Sequence, residues 1–102
     1  MGRVIAATVC AYHSAPGIAW VKDAEQTIVV DRQSRAVWHL EGAEAVVWDL
    51  LVLGRPFGHI VRVVSLIAHV PEELARTSAV SMLEKWLDAG ILKCEGDLAW
   101  RT

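Results

Sequence analysis

"RAVWHLEGAEAVVWDLL", residues 35–51, decides how this chain is read. Its first six residues alternate as a strand does: Ala36, Trp38 and Leu40 share one face, and Arg35, Val37 and His39 share the other. The first set is the more apolar and is expected to face the core. Glu41 and Gly42 end the alternation. From Ala43 to Leu53 the residues are helix formers, apolar nearly all round apart from Glu44 and Asp49, and Gly54 with Pro56 stops the run. An aromatic strand thus feeds directly into a helix that must be largely buried.

Upstream, "IAWVKD" (18–23) and "TIVVDR" (27–32) are two more segments rich in Val, Ile and Trp. The connections "AEQ" and "QS" are short enough only for hairpins, so with residues 35–40 they predict an antiparallel meander of three strands. "HSAPG" (13–17) is a break, and the apolar stretch Val4 to Tyr12 before it reads as an extra strand. That strand pairs within the fold or with a second copy, the latter arrangement making a homodimer.

Downstream, "GHIVRVVSLIAHV" (58–70) predicts a second helix with Arg62, Ser65 and His69 on one wet stripe and the rest in the core. Pro71 opens a third helix with Glu72 and Glu73 at its positive end, and Gly90 closes it. On that helix Ala75, Ala79, Val80, Met82, Leu83, Trp86 and Leu87 span an arc of roughly 160°, wider than docking on one surface needs. "ILKCE" and "LAWRT", joined across Gly96, predict a terminal hairpin or wing. The expected fold is α+β and winged-helix-like, a three-stranded antiparallel sheet followed by three helices, with an N-terminal strand and a C-terminal wing. Residues 1–15 form the arm and residues 16–102 the domain.

At 102 residues the chain suffices for one core, and with 54% apolar and 22% charged residues it is not of disordered composition. The net charge of −2 has the wrong sign for a protein that neutralises phosphates, so nucleic acid is not the expected partner. Cys10 and Cys94 are far apart and lack a CxxC spacing, which indicates neither zinc nor a disulfide framework and favours a reducing cytoplasm. Arg3 and the apolar segment after it resemble the front of a signal peptide, but no small-x-small cleavage site follows. The segment is also far shorter than the roughly 20 residues of a membrane span, and Ala6 breaks the myristoylation pattern. No membrane association is expected.

Catalytic chemistry is not legible. His13, His39, His59 and His69 form no HxxxH or HExxH pattern, Cys94 beside Lys93 lacks a base, and Gly54 and Gly58 lie in a helix break instead of a phosphate loop. Glu72, Glu73 and Glu84 read as surface and helix-dipole charges. No catalytic residue, cofactor or metal is therefore assigned. Five tryptophans, Trp20, Trp38, Trp48, Trp86 and Trp100, mostly fill core, although tryptophan near an exposed sheet edge also suits a binding anchor. The last strand of a three-stranded sheet has a free side, which is either a hazard or a docking site. With the third helix beside it, the strand would supply backbone hydrogen bonds and the helix side-chain pockets.

"TIVVDRQSRAVWHLEGAEAVVWDLL", "IVRVVSLIAHV" and "PEELARTSAVSMLEKWLDAGIL" together resemble the PqqD family, peptide chaperones also called RiPP recognition elements, over about residues 17–94. In that family the third strand closes on a small residue, two aromatics, a small residue and leucine. Val37, Trp38, His39 and Leu40 occupy this stretch, with Val37 in an aromatic's place and Glu41 where a capping Asn is usual. "WLDAGIL" resembles the family's third-helix close. The resemblance implies a non-catalytic module that captures the leader of a ribosomally made precursor peptide and presents it to a modifying enzyme, such as a radical-SAM protein or a protease. It implies a peptide edge at Arg35, Ala36, Val37, Trp38 and His39 and a helix wall drawn from Arg76, Ala79, Val80, Leu83 and Leu87, with Arg35 and Arg76 holding leader carboxylates.

The runner-up is a winged-helix DNA-binding regulator, suggested by "LDAGIL" before a wing. Its recognition helix would carry Glu72, Glu73, Glu84 and Asp88 against Arg76 and Lys85, an unfavourable balance in a DNA groove. A third reading is an interaction subunit of a larger enzyme with no peptide ligand of its own.

Overall fold

A computed structural model describes residues 11–95. In chain order the elements are β1 (Ala11–Ser14), β2 (Ile18–Asp23), β3 (Gln26–Asp31), β4 (Val37–Glu41), α1 (Ala43–Val52), α2 (Phe57–Ala68), α3 (Glu72–Ala89) and β5 (Leu92–Glu95). The fold is the expected α+β arrangement of a three-stranded antiparallel sheet followed by three helices, with an additional strand near each end.

The central sheet has the order β2-β3-β4. Asp23 pairs with Gln26, so only Ala24 and Glu25 form the first hairpin loop, and Ala24 takes the positive φ of 57° that such a tight turn requires. The second hairpin is organised by Asp31. Its carboxylate accepts hydrogen bonds from the Gln33 amide (2.9 Å) and the Ser34 hydroxyl (3.0 Å), while its carbonyl accepts one from the Arg35 amide (2.7 Å). Arg35 is thereby held at φ 64°, in the turn. The strand expected over 35–40 begins at Val37 because this turn claims the two residues before it.

Thr27, Val29 and Leu40 point from the sheet into the core, together with Trp48 and Val47 of α1, Ile60, Val61 and Val64 of α2, and Ala75, Ala79, Leu83 and Trp86 of α3. Trp48 lies at the centre, edge-on to Trp20 (centroids 5.8 Å apart) and to Trp86 (5.4 Å). The expected core face of β4 is the observed one: Leu40 is buried and Trp38 and Ala36 are half-buried, whereas Val37 and His39 are exposed. Gly42, at φ 58° and ψ −128°, turns the chain from β4 into α1 through backbone space that side chains strongly disfavour.

The last strand, β5, pairs with β1 in the register Tyr12 to Cys94 and Ser14 to Leu92, so the N-terminal strand finds its partner within the fold. "LAWRT", the other half of the expected terminal hairpin, lies outside the described residues, as do Val4 to Cys10 of the expected N-terminal strand. One expectation is corrected: on α2, Leu66 (68% exposed) and Ile67 face solvent along with Arg62 and His69. The helix docks through Phe57, Ile60, Val61 and Val64, and the Leu66 and Ile67 side chains fall on its far side. Among the described residues no helix is long and apolar enough to cross a membrane.

Candidate functional site

The free side of β4 follows from the register of the ladder. The Asp31 amide donates to the Ala36 carbonyl (2.9 Å), and Val29 stands opposite Trp38 and Thr27 opposite Leu40. In an antiparallel pair the backbone groups of alternate residues point toward the partner. Ala36, Trp38 and Leu40 therefore bond to β3, and Val37 and His39 turn their N–H and C=O groups outward. Among the described residues no strand pairs with that outer side. Two outward residues amount to a short but complete template for an incoming strand.

Between the first turn of α1, which follows β4 through Gly42, and the flank of α3 lies a cleft of about 480 Å³, lined by Glu44 of α1 and by Leu74, Thr77, Ser78, Ser81, Met82 and Lys85 of α3. Lys85 Nζ donates to Glu44 Oε2 at 3.0 Å and ties the C-terminal half of α3 to the first turn of α1. Leu74 contributes an exposed apolar side chain, and Met82 is half-buried against the core that also supports Trp38. The chemistry on offer is thus an apolar floor, a row of hydroxyls and one cation partly neutralised by its carboxylate. Among the described residues no group of three metal-ligating side chains converges.

The residues expected to form the site are divided by the structure. Val37, Trp38 and His39 lie on the edge strand, with Arg35 and Ala36 in the turn leading into it. Ala79 and Leu83 have no solvent exposure and are core residues, packed against the other helices. Val80 and Leu87 are half-buried at the margin of that core. Arg76 sits over the Phe57 ring (5.6 Å) on the side of α3 that meets α2. At about 100° per residue, the stripe 76-80-83-87 and the stripe 74-78-81-85 are on roughly opposite sides of the helix. The open stripe is not legible in the sequence because it is mostly polar; its signal is Leu74, Ser78, Ser81 and Lys85 at helical spacing with Met82 beside them.

His39 Nδ1 lies 3.4 Å from Gln26 Oε1 across the exposed face of the sheet. Asp31, in the turn, has its carboxyl held below the ordinary aspartate range by the Gln33 amide first and the Ser34 hydroxyl second.

The sequence matches no protein-family model and no curated protein. Two solved structures match in three dimensions. Both share this chain's fold. A lasso peptide synthetase B1, complexed with the leader peptide, superposes with a TM-score of 0.76 at 14% identity over 81% of this chain and 98% of its own. TbiB1, in complex with the TbiA(beta) leader peptide, superposes with a TM-score of 0.74 at 14% identity over 79% of this chain and 94% of its own. The arrangement of sheet and helices is therefore one that occurs in proteins that bind leader peptides.

Proposed function

We propose that this chain is a non-catalytic leader-binding protein of RiPP biosynthesis. The leader of a ribosomally made precursor adds as a strand to β4, and the chain holds it for a modifying enzyme, such as a radical-SAM protein or a protease. The observation that carries the reading is the outward-facing backbone of Val37 and His39, on the strand that leads through Gly42 into the α1 turn lining the Leu74–Met82–Lys85 cleft. Strand addition gives affinity through main-chain hydrogen bonds, and alternate side chains of the guest then reach the cleft for specificity. Both solved structures of this fold hold a leader peptide, which supports it.

In this reading the helix wall is Leu74, Ser78, Ser81, Met82 and Lys85, and Arg76 has no part in it. Arg35, at the head of the edge, remains free to meet a leader carboxylate. Calorimetric titration with the leader of a precursor encoded beside this chain's gene is the test. Saturable binding at one site per chain is expected, whereas no heat and no competition by an unlabelled leader in a fluorescence assay would overturn the proposal.

A further inference from the structure

The face of the central sheet that turns away from the helices changes in chemistry along the strands. Ladder pairing sets Ala19, Val30 and Val37 in one row across β2, β3 and β4, Val21, Ile28 and His39 in the next, and Asp23, Gln26 and Glu41 in the last. The first row is wholly apolar, and Val37, at its outer end, is 50% exposed. The last row ends in the exposed Glu41, with Asp23 in the same row and Glu25 in the adjoining hairpin loop. Lys22, next to Asp23 in sequence, projects from the opposite face, where it pairs with Asp49, and leaves this acidic end uncompensated by its neighbour.

A strand added to β4 continues these rows, because side chains on one face of a sheet stand beside those of the neighbouring strand. Val37 and Glu41 are four residues apart on one face, so the guest residues next to them are four apart as well. One meets the open flank of a valine that closes an apolar row. The other meets a carboxylate that closes an acidic row. Apolar and opposite-charge neighbours stabilise such cross-strand pairs, and like charges destabilise them.

We propose that the face of the sheet turned away from the helices helps select the guest, and that the leader this chain takes carries an aliphatic or aromatic residue beside Val37 and, four residues from it, a Lys or Arg beside Glu41. The inference rests on strand addition at β4 and adds the chemistry of the guest on the side that does not reach the Leu74–Met82–Lys85 cleft. The order of the two residues along the leader reports its direction: cation first for an antiparallel guest, apolar residue first for a parallel one.

The test is calorimetric titration of the full chain and its variants with the leader of the precursor encoded beside this chain's gene. Val37→Lys should weaken binding about fivefold or more, and Val37→Ile should leave it within about twofold. Glu41→Lys should weaken it about threefold or more at low salt and by less at high salt, and exchanging the leader's cation for Glu should restore it, which a folding defect would not do. A leader that binds and protects the Val37 and His39 amides, yet is indifferent to Val37→Lys or to Glu41→Lys or lacks such a pair four residues apart, overturns this inference and leaves strand addition standing. A leader that does not bind the natural chain overturns strand addition and this inference with it.

Discussion

The amide of Asp31 donates to the carbonyl of Ala36 at 2.9 Å, and this one bond sets which backbone groups of the following strand face outward. It fixes Trp38 as bonded to β3 and His39 as directed away from it. His39→Pro removes only an outward N–H, which an edge strand tolerates, and should leave the fold intact. Trp38→Pro removes a ladder bond and should destabilise the domain by about 3 kcal/mol or more. Leader affinity should fall at least about fivefold for His39→Pro, the loss of roughly one hydrogen bond, with the thermal midpoint little changed. Thermal melts and calorimetry on the two variants check both halves.

The wall of the site is tested by comparing the two sides of α3. Leu74→Asp places a charge in the cleft and should reduce leader affinity about tenfold or more, a loss typical of an anchor residue. Arg76→Glu should leave affinity within about twofold, since Arg76 lies over Phe57. Loss of its cation–π contact costs about 0.5–1 kcal/mol of stability, measurable by urea denaturation.

Trp48 and Trp86 meet edge to face at 5.4 Å, both fully buried, and neither indole N–H has a hydrogen-bond partner among the described residues. Trp86→Ala should cost about 3–5 kcal/mol through the cavity it leaves. Trp86→Phe should cost clearly less, because it keeps much of the volume and removes a buried donor that had no acceptor. Urea denaturation of the two variants, compared at constant slope, is the measurement.

The Asp31 turn makes a pH prediction. Hydrogen bonds from the Gln33 amide, the Ser34 hydroxyl and the Ser34 amide favour the carboxylate, so its folded pKa is depressed relative to the unfolded chain. A depressed carboxyl contributes stability that is present above the unfolded value and is lost as pH falls through the folded one, below about pH 4. Asp31→Asn should therefore weaken the domain slightly at neutral pH, and the gap to the natural sequence should narrow on acidification. Thermal midpoints at neutral pH and near pH 3 check the sign.

Local pattern made most of this architecture legible. The alternation of Ala36 to Leu40, the change of period at Gly42, and Pro71 and Gly90 at the ends of α3 each state a structural demand within a few residues. What was not legible depends on distant packing. The pairing of β5 with β1, some eighty residues away, is one such contact, and nothing local in either strand announces it. Leu66 and Ile67 read as core because they are apolar, and only the placement of α2 against α1 and α3 exposes them. The arc on α3 is wider than docking on one surface needs. Its centre, Ala79 and Leu83, is consumed by the core, and the open side of the helix is the polar stripe from Leu74 to Lys85.

Amide hydrogen exchange on β4, residue by residue with and without the leader of the neighbouring precursor, tests the central claim most directly. The N–H groups of Trp38 and Leu40 should be protected in both states, and those of Val37 and His39 should gain protection only when the leader is bound. Leader binding that leaves Val37 and His39 exchanging freely would contradict strand addition at this edge.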